Sequence, residues 1–317
     1  MKIGFDIMGG DYAPLEAIKG VRMFFEQNSD PAVHLLLLGN KEACTPHLSL
    51  LESYTNRYTF VDAPDVIGMH EHPTKALKEK PASSIAMGFG MMQMKKADAF
   101  ISAGNTGAMM VGAMYSVKSI EGVQRPTIAS PVPRPDGNFN LMLDVGINAD
   151  CKPENLVQFA QLGSLYVEHV YGVKAPKVGL LNLGEEEGKG NLLAQATYPM
   201  LKEQPGLNFI GNIEGRDIFL DKANVIVCEG FVGNIVLKAA ESVHTLLSAR
   251  GVSDSFLDNF NYEIYGGTPI LGINSPVIIG HGISHALAFK NMIDVARRIV
   301  EANLIDAIKK HFAPAVA

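Results

Sequence analysis

Short, uniformly apolar runs alternate with amphipathic stretches along the chain. An apolar run over residues 3–7 is followed by a helical pattern over 15–26 and by a second apolar run over 33–38. Strands that are apolar at every position are buried on both faces, which is typical of a parallel sheet covered by helices. The sequence therefore predicts an α/β fold with a mostly parallel sheet flanked by helices.

The same alternation continues through both halves of the chain. It predicts strands over 59–61, 99–101, 140–145, 178–183, 225–228 and 277–279, and helices over 83–96, 108–120, 155–171, 191–203, 234–249 and 284–311. We expect one α/β domain over residues 1–317. Prolines and a glycine crowd the segment 125–137, which marks either a boundary between two closely packed lobes or an excursion at the sheet edge.

Composition excludes several classes of function. The formal net charge of −6 leaves no basic surplus to neutralise nucleic-acid phosphates. Three cysteines, Cys44, Cys151 and Cys228, are far apart in the sequence, so a reduced cytoplasmic protein is expected rather than a disulfide scaffold. Asp6 interrupts the first apolar run, which therefore predicts a strand and not a signal peptide.

Small and polar residues directly follow several of the predicted strands. The segments concerned are 6–11, 102–106, 144–150, 182–189 and 229–234. Ligands of open parallel sheets bind beyond the carboxyl ends of the strands. We therefore expect the functional site to be built from these segments.

The turn after the first strand contains Gly9, Gly10 and Asp11. Two successive glycines permit positive φ angles and a close approach of the backbone to a ligand. The alternative is an ordinary turn in which Asp11 caps the next helix.

The segment SAGNTG, residues 102–107, is a stronger candidate for a binding turn. Asn105 and Thr106 could cap the following helix, but Gly104 and Gly107 also open that helix N-terminus to an anion. The segment matches neither common nucleotide-binding glycine motif, so we predict that it binds phosphate, together with Ser102.

The loop NLGEEEGKGN, residues 182–191, places Lys189 between two glycines. A lysine on such a backbone can reach a phosphate or a developing oxyanion, unless the loop is simply exposed and flexible.

In the segment 144–150, two acids and an asparagine could bind a divalent metal, although hydrogen bonding to the loop backbone is favoured. Asn234 either caps a helix or donates to a carbonyl oxygen, and His281 is a weaker candidate on the same rim.

Several of these strings occur together in one known family. FDIMGGD, SAGNTGA, LDVGINADCKPENLVQFA, VGLLNLGEEEGKGN, FIGNIEGRDI, VIVCEGFVGNIVLK and IYGGTPILG resemble the bacterial phosphate acyltransferase (PlsX) family, the acyl-ACP:phosphate transacylases, over about residues 1–291. The resemblance implies a homodimer with neither metal nor nucleotide. It also implies a fold related to isocitrate and isopropylmalate dehydrogenases and to phosphotransacetylase.

The implied reaction transfers a long acyl chain from acyl carrier protein to inorganic phosphate. Its product, acyl phosphate, would supply a membrane glycerol-3-phosphate acyltransferase in phospholipid synthesis. By the resemblance, Lys189 and Asn234 lie nearest the reacting centre, one holding phosphate or the oxyanion and the other donating to the carbonyl oxygen. A supporting set would cradle phosphate or orient these parts: Asp6, Gly9, Gly10, Asp11, Ser102, Gly104, Asn105, Thr106, Asn182, Glu185, Arg216 and His281.

One segment departs from the family pattern. Many members carry a longer, lysine-rich helical hairpin where this chain has residues 239–264, whose only lysine or arginine is Arg250. A basic face for peripheral binding to anionic lipid is therefore missing from this segment. No Ser-His-Asp or Cys-His set is evident, so we expect direct attack by phosphate. Two alternatives stay open: a phosphotransacetylase that uses acyl-CoA, and a non-catalytic sensor of phosphate or acyl phosphate.

Overall fold

The computed structural model describes residues 1–313 and divides into two compact units. Unit 1 comprises residues 1–119 and 263–301, and unit 2 comprises residues 120–262 with the described residues from 302 onward. The strands are β1 (Lys2–Asp6), β2 (His34–Gly39), β3 (Tyr58–Asp62), β4 (Ala99–Ser102), β5 (Thr127–Pro133), β6 (Phe139–Leu143), β7 (Val178–Leu181), β8 (Phe209–Ile213), β9 (Val225–Val227), β10 (Thr268–Leu271) and β11 (Val277–Ile279).

Helices follow most of these strands. They are α1 (Leu15–Gln27), α2 (Lys41–Cys44), α3 (Pro73–Glu79), α4 (Ser84–Gln93), α5 (Thr106–Gly112), α6 (Pro153–Tyr171), α7 (Leu192–Glu203), α8 (Gly230–Ala249), α9 (Ser255–Asp258), α10 (Tyr262–Tyr265), α11 (Ala286–Glu301) and α12 (Leu304–Phe312). Two 3₁₀ segments cover Thr45–Tyr54 and Gly215–Asp217, and α5 continues as a π-helix over Ala113–Val117.

The sheet of unit 1 has the strand order β3-β2-β1-β4-β11-β10. All neighbouring strands are parallel except β10, which runs antiparallel to β11. Central β1 has four buried residues in succession, as expected for a strand covered on both faces. Helices α1 and α11 pack against each other, and Phe289 of α11 contacts Phe5 of β1 with their ring centroids 5.6 Å apart.

The sheet of unit 2 has the order β5-β6-β9-β7-β8, and only β5 is antiparallel to its neighbour. Helix α6 packs on β6 and β9, and α12 packs on α6. Buried apolar side chains from β5, β6 and β9 form a core with Ile213, the last residue of β8, and with Ile218, which lies beyond that strand. Because β6, β9, β7 and β8 are parallel, their carboxyl ends lie at one edge of this sheet.

The predicted α/β fold with a mostly parallel sheet is confirmed. The segment 125–137, expected as a lobe boundary or an edge excursion, contains strand β5, whose prolines fit an extended backbone. Several other local predictions are wrong. The helix expected over 284–311 is two helices, because Asn303 between them has φ +50°. Helix α8 begins at Gly230 and not at Asn234. Strand β8 escaped prediction because Gly211, with φ +98°, interrupts its apolar pattern.

No helix within residues 1–313 combines the length and the apolar character needed to cross a bilayer.

The packing of α1 on α11 requires a glycine. A Cβ at Gly20 of α1 would lie 2.5 Å from Phe289 Cβ and 2.8 Å from the Ala286 carbonyl oxygen, so we expect Gly20→Ala to lower the free energy of unfolding by about 1–3 kcal/mol. Gly90→Ala in α4 is the matched control, because nothing lies within 4 Å of its Cβ position. Urea unfolding should show the control unchanged or slightly stabilised. Equal stability of the two variants would contradict this packing.

Candidate active site

In unit 2 the loops at one sheet edge lie close to each other because their strands are parallel. They are the segments 144–150 after β6, 182–191 after β7, 214–217 after β8 and 228–234 after β9. The sequence predicted this juxtaposition for three of the four. The fourth segment, 214–217, was represented in the prediction only by Arg216, which the resemblance implies.

Asp144 organises the first of these loops. Its buried carboxylate accepts hydrogen bonds from the backbone N–H groups of Gly146 at 2.7 Å, Ile147 at 2.9 Å and Asn148 at 3.2 Å, and from the Asn148 side chain. Burial raises the pKa of Asp144, and these donors oppose that effect. The prediction that this carboxylate holds the loop backbone is confirmed.

The first turn of α8 lies directly on that loop. A Cβ at Gly233 would be 1.9 Å from the Asp144 carbonyl oxygen, and one at Gly230 would be 2.9 Å from the Asn148 amide nitrogen. Only glycine permits so close an approach of two backbones. Glu229 caps the helix by accepting from the Val232 N–H at 3.3 Å, so the alternative that Asn234 is the cap is wrong.

Asn182 fixes both ends of the loop that carries Lys189. Its side chain donates to the Lys189 carbonyl oxygen at 3.0 Å and accepts from the Leu183 N–H at 2.8 Å. Gly190 has φ +96°, and a Cβ there would lie 2.2 Å from Asn182 Oδ1. Asn191 then caps α7 by accepting from the Ala194 N–H at 2.8 Å. The loop is therefore tied at its ends, and the side chain of Lys189 is left exposed.

Several acidic residues near this loop are paired with basic ones. Lys222 binds Glu185 at 2.5 Å and Asp217 at 2.8 Å, and Arg216 pairs with Glu214. Oxygens of Glu185, Glu214 and Asp217 come within 4.8 Å of one another, as metal ligands do. Because Lys222 already neutralises two of these carboxylates, the geometry indicates a structural ion-pair network. Glu185 and Arg216 belong to it.

Lys189 and Asn234 differ from the groups around them. Both side chains are exposed, and within residues 1–313 no hydrogen bond or ion pair engages either of them. Asn234 adjoins the Asp144 loop, since a Cβ at Gly146 would lie 3.4 Å from Asn234 Oδ1. The edge of this sheet thus presents an ammonium and a carboxamide that are available to a ligand.

In unit 1, Asp6 and Ser102 hold the turns after β1 and β4. Ser102 Oγ donates to Asp6 Oδ2 at 2.6 Å and accepts from the Gly104 N–H at 2.9 Å, while the Met8 N–H donates to Asp6 Oδ1 at 3.0 Å. Burial raises the pKa of Asp6, and the hydrogen bonds to Ser102 and Ser84 oppose that effect. The Ser102 proton is therefore directed at a carboxylate inside the protein.

Asn105 caps α5, accepting from the Ala108 N–H at 2.9 Å. Its amide donates to the carbonyl oxygens of Gly68, Met69 and Glu71, so both of its protons are engaged. The capping alternative is confirmed for Asn105, and any contact of its side chain with phosphate stays a prediction. Thr106, at the first position of α5, is exposed.

The remaining predicted residues of unit 1 lie beside these turns. A Cβ at Gly9 would be 2.5 Å from the Gly104 amide nitrogen, and Gly10 has φ +104°. The Asp11 N–H donates to the Gly282 carbonyl oxygen at 2.7 Å, which places Asp11 beside the loop of His281. Helix α1 starts after Pro14, so the alternative that Asp11 caps it is wrong.

An apolar cavity in unit 2 was not predicted. It has a volume of about 260 Å³ and lies between the loop of Lys189 and the start of α8. Leu156, Leu180, Leu193 and Val232 are among its lining residues. The sequence holds one signal for it, the leucines at 180, 181, 183, 192 and 193 that flank a wholly polar loop.

The cysteines are poor nucleophiles. Burial, as the main cause, raises the pKa of Cys44 and that of Cys151 each to about 11, and it raises the pKa of Cys228 well above its usual range. A thiol attacks as its thiolate, which is scarce at neutral pH when the pKa is so high. None of the three cysteines is therefore an activated nucleophile.

Cys151, which is only partly buried, should react slowly with iodoacetamide. Near pH 8 we expect a rate about tenfold or more below that of free cysteine, because the smaller thiolate fraction outweighs the greater nucleophilicity of each thiolate. The rate should rise about tenfold per pH unit until the pH approaches the pKa, about 11. Mass spectrometry would follow the labelling, with urea-unfolded protein as the control. Fast labelling of the native protein would contradict the raised pKa.

The family model described as "Fatty acid synthesis protein" matches residues 1–307. A curated relative named "Phosphate acyltransferase", from Dictyoglomus thermophilum, is 43% identical over 96% of this chain and 95% of its own length. Among solved structures, a phosphotransacetylase from Streptococcus pyogenes has a TM-score of 0.62 at 18% identity, covering 95% of this chain and 94% of its own. A 4-hydroxythreonine-4-phosphate dehydrogenase from Klebsiella pneumoniae has a TM-score of 0.57 at 11% identity, covering 94% of this chain and 99% of its own.

The two structures share the fold of this chain, in agreement with the relation to phosphotransacetylases and dehydrogenases that the sequence predicts. The family model and the relative both extend over almost the whole sequence. They also agree with the resemblance carried by the loop strings. The chain belongs to the phosphate acyltransferase family.

Proposed function

We propose that this phosphate acyltransferase takes a long-chain acyl group from acyl carrier protein and transfers it to inorganic phosphate. The product, an acyl phosphate, would serve phospholipid synthesis through a membrane glycerol-3-phosphate acyltransferase. The proposal includes a homodimer, as the resemblance implies. A match to a fatty acid synthesis family supports a fatty acyl substrate.

The observation that carries the proposal is the pair of free donors in unit 2. Asn182, Glu185, Arg216 and Asp144 are all engaged within the protein, whereas the Lys189 ammonium and the Asn234 carboxamide are exposed and available. Attack of phosphate on a thioester brings together a phosphate anion and a developing oxyanion. An ammonium and an amide N–H suit these two groups.

The chemistry requires one bond to form and one to break. A phosphate oxygen attacks the thioester carbonyl carbon, and negative charge collects on the carbonyl oxygen. As this intermediate collapses, the C–S bond breaks, and the carrier thiolate leaves and takes up a proton. Lys189 would hold phosphate or the oxyanion, and Asn234 would donate to the carbonyl oxygen. Positioning and charge stabilisation account for the catalysis, so no covalent acyl-enzyme is needed.

The change Lys189→Ala should lower turnover at least tenfold, which corresponds to about 1.4 kcal/mol of lost transition-state stabilisation. The fold should survive, because Asn182 binds the backbone carbonyl of residue 189 and not its side chain. Lys174→Ala is the matched control, since Lys174 is an exposed lysine of unit 2 outside the four loops. Acyl phosphate would be trapped as hydroxamate, and circular dichroism would confirm folding. Turnover near that of the wild type in a folded Lys189 variant would remove this residue from the site.

The acyl donor is tested with purified protein, inorganic phosphate and either palmitoyl carrier protein or palmitoyl-CoA. We expect acyl phosphate from the carrier-protein donor. Product mainly from palmitoyl-CoA would point instead to a phosphotransacetylase that uses acyl-CoA. Absence of product from both donors would favour the non-catalytic sensor.

A further inference from the structure

We propose that the 260 Å³ cavity of unit 2 binds the alkyl chain of the acyl donor, an inference that rests on the proposed function. The lining supports an apolar occupant. Leu156 and Leu180 are buried members of the lining, Leu193 and Val232 also line the cavity, and Leu183 is 80% exposed. An exposed leucine that also lines a cavity gives an apolar ligand a continuous surface from solvent inward.

The polar residues of the lining argue against a polar occupant. Asn182 uses both its amide donor and its oxygen on its own loop. Asn191 Oδ1 accepts from the first turn of α7, and Glu229 Oε1 accepts from the first turn of α8. A nucleoside or sugar placed here would lose hydrogen bonds to water and find few free partners, whereas an alkyl chain loses none.

The size of the cavity suits a segment of a fatty acyl chain. A cavity of about 150 Å³ can hold benzene, with six carbon atoms. By that measure a volume of about 260 Å³ holds roughly ten carbon atoms. A shorter acyl chain would leave part of the cavity unfilled, and a longer one would extend along Leu183.

The position of the cavity relates it to the free donors. Two lining residues, Asn182 and Asn191, lie at the ends of the loop that carries Lys189. Two others, Glu229 and Val232, lie at the start of the helix that carries Asn234. A chain bound there would lie between the two elements that hold the proposed catalytic groups. The thioester, at the carboxyl end of the chain, would then lie toward Lys189 and Asn234.

Chain length should therefore influence the use of acyl donors. Burying one more methylene group tightens binding about three- to fourfold while the cavity still has room. The preference for palmitoyl over hexanoyl carrier protein should accordingly be large in the wild type. Filling the cavity should reduce that preference.

Val232→Phe fills the cavity from its wall, and Val243→Phe is the control, because Val243 lies on the same helix but does not line the cavity. With acyl phosphate trapped as hydroxamate, we expect Val232→Phe to lower kcat/KM for palmitoyl carrier protein at least tenfold. The value for hexanoyl carrier protein should change by less than about threefold. The control should keep the preference of the wild type. An unchanged preference in Val232→Phe, with wild-type activity intact, would overturn this inference and leave the proposed function standing.

Binding of cis-parinaric acid, a fluorescent fatty acid, tests the cavity without any turnover. We expect the wild type and Val243→Phe to bind it, and Val232→Phe to bind it at least tenfold more weakly. If the wild type forms no acyl phosphate but the three proteins show this binding pattern, the proposed function is rejected and the alkyl site is retained. Equal binding by all three proteins would overturn the site. A Val232→Phe defect in acyl phosphate formation that is seen with a CoA donor but is the same for short and long chains would also overturn the site.

Discussion

The candidate site depends on the direct contact between two backbones, that of the first turn of α8 and that of the loop after β6. Gly230 and Gly233 are three residues apart and face the same way on the helix, so both can touch the loop. The loop keeps its shape in this contact because Asp144 binds three of its N–H groups with one buried carboxylate. Val232, on the opposite side of the helix, and Asn234, which lies beside Gly230 on the face toward the loop, are thereby held in fixed directions. One backbone contact thus positions both a cavity wall and a free donor.

Most polar groups near the site are used to build it. Asn182 closes its loop, Lys222 neutralises the acids beside it, and in unit 1 Asp6 and Ser102 hold two turns together. A buried polar group without a partner is costly, so such residues serve the fold first. A group left exposed and unengaged, as Lys189 is, costs the fold nothing and can be used by a ligand. This distinction separates supporting residues from candidate catalytic ones of the same chemical type.

The sequence predicted the fold class well because strands buried on both faces must be apolar throughout. It also located the loops of the site, since those loops follow the strands. It failed where local composition misleads: the prolines of β5 resemble a linker, and Gly230 and Gly233 make a helix start resemble a loop. The division between engaged and free groups could not be predicted, because it depends on distant pairs such as Lys222 and Glu185, which are 37 residues apart.

An alkyl site built from the same elements as the free donors would couple substrate length to catalysis. The reacting carbonyl needs accurate placement, and binding energy from a remote, unreactive part of a substrate can supply it. Here the chain would be held by side chains of the loop ends and the helix start, whereas Lys189 and Asn234 extend from the same two segments. A chain too short to fill the cavity would then lose orientation as well as affinity. Chain-length selection and rate acceleration would in that case have a single structural origin, the rigid edge of the unit 2 sheet.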